Sequence, residues 1–381
     1  MDTRPDLIRP HLVTGVALSA AAILAVLTLV LFPDGPLPRP TPQTSFLIAL
    51  TSPALTAGAV LLTAALGVLS GGLALAGRVP RTLLAAVAAL HVLVIGVGTA
   101  SMSTLMVAGY LTALAVPVAV VILIVQGLRR RGPGRIVAAI AGLALVAGLV
   151  LRGGVILTLA GDLGPKMLAG IPDMVLALLP VLIGASWAVT LVLVARGTRA
   201  ARRATTWVTD HRVPLTVLAA AGPLPYAAAR ATWLTPWPMF APDGVELAAD
   251  MRLWGILLGA GGLLGSLLTL LLITPWAQVF PRWMPGVAGR PVPLAAAVVP
   301  GGLVASLLCF AAVPTLHGAA MMDPALVLEF ALIFPLWLWG PSLALAVWGF
   351  AGERLGAGST SREARARIAL PSTPGQDRMG A

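Results

Sequence analysis

The stretch LTALAVPVAVVILIVQGLRRRGPGRIVAAIAGLALVAGLVL, residues 111–151, decides how this chain folds. Both arms are apolar almost throughout. The middle holds Arg129, Arg130, Arg131 and Arg135 with Gly and Pro among them. An apolar run of about 20 residues crosses the roughly 30 Å hydrocarbon core of a bilayer as an α-helix. Two such runs joined by a short basic turn make a membrane hairpin whose turn stays in the cytoplasm.

Working outward, the same pattern recurs. It predicts ten spans, 11–32, 53–77, 82–100, 105–126, 136–160, 173–195, 213–234, 252–273, 293–313 and 326–350. The composition agrees: 58% of the 381 residues are hydrophobic, 10% are charged, and the mean hydropathy is +0.96. Soluble domains carry about 25% charged residues. A transmembrane β-barrel needs alternating segments of about ten residues, and none occur. The first run is too long for a signal-peptide core, and FPDGPLPRP after it lacks a small-x-small cleavage pattern. The expected fold class is all-α: a polytopic helical bundle over 1–350 with a disordered cytoplasmic tail over 351–381.

Twenty arginines fall in the two ends and in alternate loops: RVPR, LRRRGPGR, RGTRAARRATTWVTDHR and the 274–293 stretch. The other loops hold only Arg39 and Lys166. Arginine asymmetry sets orientation, so both termini are expected inside the cytoplasmic membrane. Helix dipoles do not explain the pattern. Spans three, five, seven and nine would have arginines ahead of their N-termini, where a dipole disfavours cations. Acids lean outward. Asp173, Asp323 and Glu329 precede or open helices that start outside, where the dipole favours them.

The net charge of +11 does not point to nucleic acid, because the arginines sit in short loops between apolar runs. The single cysteine, Cys309, forbids a disulfide within the chain. A P-loop needs Gly-Lys before Ser or Thr, and the only lysine follows proline in GDLGPK. His11, His91, His211 and His317 stand apart, so no metal cluster and no cofactor is expected. For His91, a hydrogen-bonded packing role outweighs a ligand role.

Between spans eight and nine lies TPWAQVFPRWMPGVAGRPVP, 274–293. Trp276, Phe280 and Trp283 suit the headgroup zone, and its prolines stop helix continuation. A short interfacial helix or turn is expected, with a cytoplasmic binding site as the rival reading. In the outer loop 235–250, Trp237 is the corresponding anchor. Helix breaks are expected at Pro223 and Pro225 in span seven, Pro300 in span nine and Pro335 in span ten. Broken helices expose backbone that must line protein or water, and transporters place such breaks at their sites.

Two arginines interrupt apolar runs. Arg152, in AGLVLRGGVIL, lies about 12 Å from the outer end of its span at 1.5 Å per residue. Arg230 lies near the outer end of span seven, within snorkelling reach. Arg152 either pairs with an outer acid such as Asp162, Asp173 or Asp250, or clamps an anionic ligand. Gly255, Gly259 and Gly265 in span eight give a close-packing face, inside the bundle, between copies or toward another membrane protein. FPDGPLPRP and FAPDGVELAAD share P-D-G, and AGRVPRTLLAAVAAL parallels AGRPVPLAAAVVP. These pairs suggest a weak parallel repeat of 11–126 and 213–350.

GPLPYAAARATWLTPWP, RLWG, PWAQVFPRWMPGVAGRPVP and FPLWLWGPSLALAVWG resemble uncharacterised multi-pass membrane proteins of actinobacteria, mainly over 213–350. The resemblance implies the cytoplasmic membrane and carries no known activity or catalytic residue. The functional expectation is a permease-like or lipid-handling protein that approaches an anionic ligand from outside through Arg152 and Arg230. The alternatives are a membrane scaffold and, behind it, a membrane enzyme acting on lipid-linked substrates.

Overall fold

The computed structural model describes residues 8–369 apart from 36, 43–44, 102, 106, 108–120, 123, 130–131, 242–246, 248 and 282–287. Most of expected span 105–126 lies outside the described residues. The described chain is helical, with one isolated antiparallel bridge, Val279 to Pro291. We number the helices α1 (Ile8–Leu31), α2 (Phe46–Leu50), α3 (Pro53–Leu75), α4 (Arg81–His91), α5 (Pro133–Ala169), α6 (Ile171–Ala195) and α7 (Arg199–Asp210). They continue as α8 (Arg212–Ala221), α9 (Leu224–Ala231), α10 (Ala249–Leu271), α11 (Leu294–Met322), α12 (Leu326–Ile333) and α13 (Leu336–Ala369). Six helical stretches among the described residues are long and apolar enough to cross a membrane.

Local chemistry sets the ends. Ser52 caps α3 by accepting from the Leu55 N–H at 3.2 Å, with Pro53 at the first turn where no donor is needed. α4 passes at His91 into a π-helical turn, Val92–Val97, closed by Gly98 N–H donating to Leu93 O at 3.0 Å. Helix continuity fails between Ala221 and Leu224 and at Phe334–Pro335. At Gly222 a side-chain carbon would stand 2.4 Å from Trp339, so only glycine admits that ring. Pro225 falls in the first turn of α9 and so opens a helix instead of ending one.

Two sequence expectations need correction here. α11 runs unbroken through Pro300 and Pro314. Pro300 costs one backbone bond, which a membrane helix tolerates when neighbours support it, and Gly301 beside it seats directly against Val347 of α13. α13 runs helically past the expected span end at residue 350, to Ala369, and just beyond that point it is held where Arg212 pairs with Glu353 and Gly352 packs against Thr209 of α7.

α1, α3, α4 with its π turn, and α6 form one bundle, around Leu12, Ala64, Ala88, Ile183 and Trp187. α7 to α13 form a second, around Ala219, Ala311, Leu343, Ala346 and Phe350. They meet where Gly96, Gly184 and Phe310 touch. Lipid is as apolar as leucine, so helices in a membrane gain by close contact of small residues, not by hiding apolar surface. The outward faces accordingly remain apolar, as at Leu24, Leu62, Leu69 and Leu143.

The 274–293 stretch forms a 3-10 turn at Pro275–Ala277 and then a narrow hairpin, with Phe280 N–H donating to Arg290 O at 3.0 Å and Val292 N–H to Gln278 O at 2.9 Å. Trp276 is exposed and Phe280 half-buried, while Trp283 lies outside the described residues. Arg354 of α13 holds both arms, donating to Ala277 O at 3.1 Å, Gln278 O at 3.3 Å and Val292 O at 2.8 Å. Hydrogen bonds from a charged donor are worth about 1.5–3 kcal/mol each at most. Arg354→Ala is therefore expected to speed limited chymotryptic cleavage after Trp276 several-fold. Arg354→Lys should restore little, since one ammonium cannot reach all three carbonyls.

Candidate functional site

At the end opposite the arginine-rich loops, the first bundle opens into a cleft of about 730 Å³. Small residues make the room: Ala22 and Ala25 on α1 face Ala54 and Ala57 on α3. α6 supplies one wall from Asp173 to Ile183. Ten residues at 1.5 Å rise make it about 15 Å deep. Ile95 of the π turn lines the bottom, and the loop carrying Pro38, Arg39, Pro40 and Ser45 forms the roof.

The lining is graded. Aliphatic side chains fill the lower part, while the rim carries hydroxyls and two charges, Arg39 and Asp173, both exposed. Asp173 lies in the first turn of α6, where a carboxylate meets the positive end of the helix dipole. The hydroxyls are already oriented. Thr99 donates to Ile95 O at 2.8 Å, Ser45 donates to Gly98 O at 3.2 Å, and Ser101 and Ser103 bond each other at 2.5 Å. Each retains lone pairs that can accept from an incoming donor. The roof is tied across the molecule as well. His317 of α11 bonds Pro42 O at 3.0 Å, and its ring meets Phe46 edge-on at 5.5 Å.

One helical turn below the floor lies a buried polar trio. Ser19, His91 and Trp187 sit a turn beyond the lining residues Ala22, Ile95 and Ile183. Val87 O can only accept, so His91 Nδ1 carries the proton in the bond at 2.8 Å. In the neutral ring, Nε2 then accepts from the Ser19 hydroxyl at 3.3 Å. Ser19 in turn accepts from the Trp187 indole N–H at 3.1 Å. The imidazole stacks on Trp187 with centroids 4.3 Å apart. Gly67 makes this possible, because a side-chain carbon there would stand 2.3 Å from His91 Nε2. Both ring nitrogens are used within the protein, and no cluster of metal-ligating side chains exists among the described residues.

Of the two arginines expected to hold a ligand, Arg230 is not part of the cleft lining. Arg152 lies on α5, and its side chain is outside the described residues. Arg230 is sandwiched, its guanidinium 4.0 Å from the Trp233 ring and 5.0 Å from the Tyr226 ring. Such cation–π stacking stabilises a desolvated cation without an anion. Arg252 holds the neighbouring loop by donating to Trp233 O at 2.8 Å and Leu247 O at 3.1 Å. Beyond it Trp237 is 80% exposed. Gly255 and Gly259 are taken up inside the chain, since side-chain carbons there would meet Trp233 at 2.4 Å and Arg230 at 2.9 Å. Gly265 faces open space.

Local sequence does not mark Arg39, Asp173 or the hydroxyls of 99–103 as residues of one site. The run TASMST over 99–104 was the available signal. Together, the apolar helices and the graded cleft define the class: a helical membrane protein with an amphipathic cavity at one end. No protein-family model, curated protein or solved structure matches the chain.

Proposed function

We propose that this chain is a permease-like, lipid-handling protein of the cytoplasmic membrane. It crosses ten times with both ends in the cytoplasm and admits an amphipathic molecule with an anionic head into the cleft from the outer side. The observation that carries this reading is the graded lining, aliphatic below and charged at the rim. A pocket of a few hundred Å³ buries most of a small ligand's surface. An apolar tail would lie against Ala22, Val60 and Ile183, with the head at Arg39 and the hydroxyls. The arginine asymmetry between alternate loops supports the orientation. Arg152 remains a proposed second cation on the same path.

Binding of a fluorescent phosphatidylglycerol analogue to the purified full chain tests this. Ala57→Trp fills the cleft and is expected to abolish binding. Arg39→Glu should weaken it about tenfold, the effect of ~1.4 kcal/mol, while sparing a neutral diacylglycerol analogue. Undiminished binding to Ala57→Trp would refute the site. For the orientation, Gly132→Cys in a Cys309→Ser background is expected to react with an impermeant maleimide only after cells are permeabilised.

A further inference from the structure

Away from the cleft, at the arginine-rich end, lies a surface with a separate assignment. The segment RAARRATTWVTD, which reads as an arginine-rich loop, is the twelve-residue helix α7. Thr198 caps it, accepting from the Ala201 N–H at 3.1 Å. One face is locked to the bundle: Val208 is buried, and Thr205 and Thr209 pack at Gly352 of α13. That contact fixes which residues face outward. Arg199, Arg202 and Arg203 share the exposed face, followed one turn later by Trp207, which is half-exposed and stacked on His211 at 4.5 Å.

The arginines gather at the turn that joins α6 to α7. Arg202 Nη1 donates to Gly197 O at 3.0 Å. From α4 the Arg81 guanidinium reaches the same turn, where a side-chain carbon on Gly197 would lie 3.6 Å from its Nη1. Asp210, at the far end of α7, is the one carboxylate on the helix. Guanidinium groups gathered this way call for anionic oxygens, which they bind in bidentate fashion.

The surroundings say what bears those oxygens. The two helices that α7 connects expose apolar side chains next to it, Val189 and Val192 on α6 and Val213 and Val217 on α8. The basic face therefore borders directly on surface that suits lipid tails. An indole at that level is typical of the headgroup zone. A nucleic acid or an acidic peptide would find no use for the flanking aliphatic surface. We propose that α7 and the α6–α7 turn form a binding site for the headgroup of an anionic phospholipid.

Native mass spectrometry of the full Ala57→Trp chain, whose cleft is filled, released from nanodiscs of equal phosphatidylcholine and phosphatidylglycerol, tests this. That protein is expected to retain phosphatidylglycerol over phosphatidylcholine by ~10-fold or more, since arginines near a charged surface act additively. Adding Arg199→Gln, Arg202→Gln and Arg203→Gln to it should bring the ratio to near parity with an unchanged circular dichroism spectrum. Should that variant fail to fold, high salt applied to the Ala57→Trp chain replaces it and must erase the preference. No preference in the Ala57→Trp chain, or a preference that survives the three arginine changes or high salt, would overturn the site. Displacement of phosphatidylglycerol by millimolar inorganic phosphate would also overturn it, by marking a free-anion site.

Discussion

Trp187→Ala is expected to destabilise the protein more than any other single truncation in the first bundle. The indole is wholly buried and stacks on His91, and its N–H is donated to Ser19. Truncation removes that stack and leaves a large cavity, which costs about 3–5 kcal/mol in well-packed interiors. It also leaves Ser19 with one donor fewer and frees the imidazole to turn. A fall of many degrees in the melting temperature in detergent is the expected result. Trp187→Phe keeps an aromatic face but loses the N–H and the volume of the second ring, so it is expected to melt between Trp187→Ala and the unaltered chain. Equal melting of Trp187→Ala and the unaltered chain would show that the trio does not hold the bundle.

The second large effect concerns the seam between the bundles. At Gly184 a side-chain carbon would stand 2.8 Å from the Gly96 Cα and 2.8 Å from the Phe310 ring. Gly96 offers backbone there, which cannot swing aside as a side chain can. Gly184→Val therefore has to push α6 away from the π turn. Overpacking of this kind costs typically 1–3 kcal/mol, and more when backbone must move. The expected outcome is early melting and a broadened gel-filtration profile. Gly58→Val is the control, with nothing within 4 Å of the added carbon, and should behave as the unaltered protein. If both variants melt alike, Gly184 is not a contact point.

Several elements were legible from sequence because they depend on single segments. Expected spans 53–77 and 173–195 compare with helices Pro53–Leu75 and Ile171–Ala195, since twenty apolar residues in lipid can satisfy their backbone only as helix. Pro300 lies inside a helix instead of breaking it, because a proline's effect depends on its neighbours. With Gly301 seated on Val347, α11 stays continuous. By composition the 199–210 segment reads as loop, yet it is helix. Its arginines hide a pattern that becomes apolar only where Val208 and the threonines meet α13. For Arg230 the sequence shows a cation near the end of a span, and does not show Tyr226 and Trp233 stacking on it.

What the amino-acid order determined alone is the solvent and the element type: a chain this apolar belongs in lipid, and in lipid its long runs are helices. Which helices touch is another matter. Ser19, Gly67, His91 and Trp187 come from four segments, as do Ala22, Ala57, Ile95 and Asp173 around the cleft. Tertiary structure alone assembled them. Between lipid-embedded helices, neighbours are selected by small-residue contacts and shape, and no one segment encodes its opposite face.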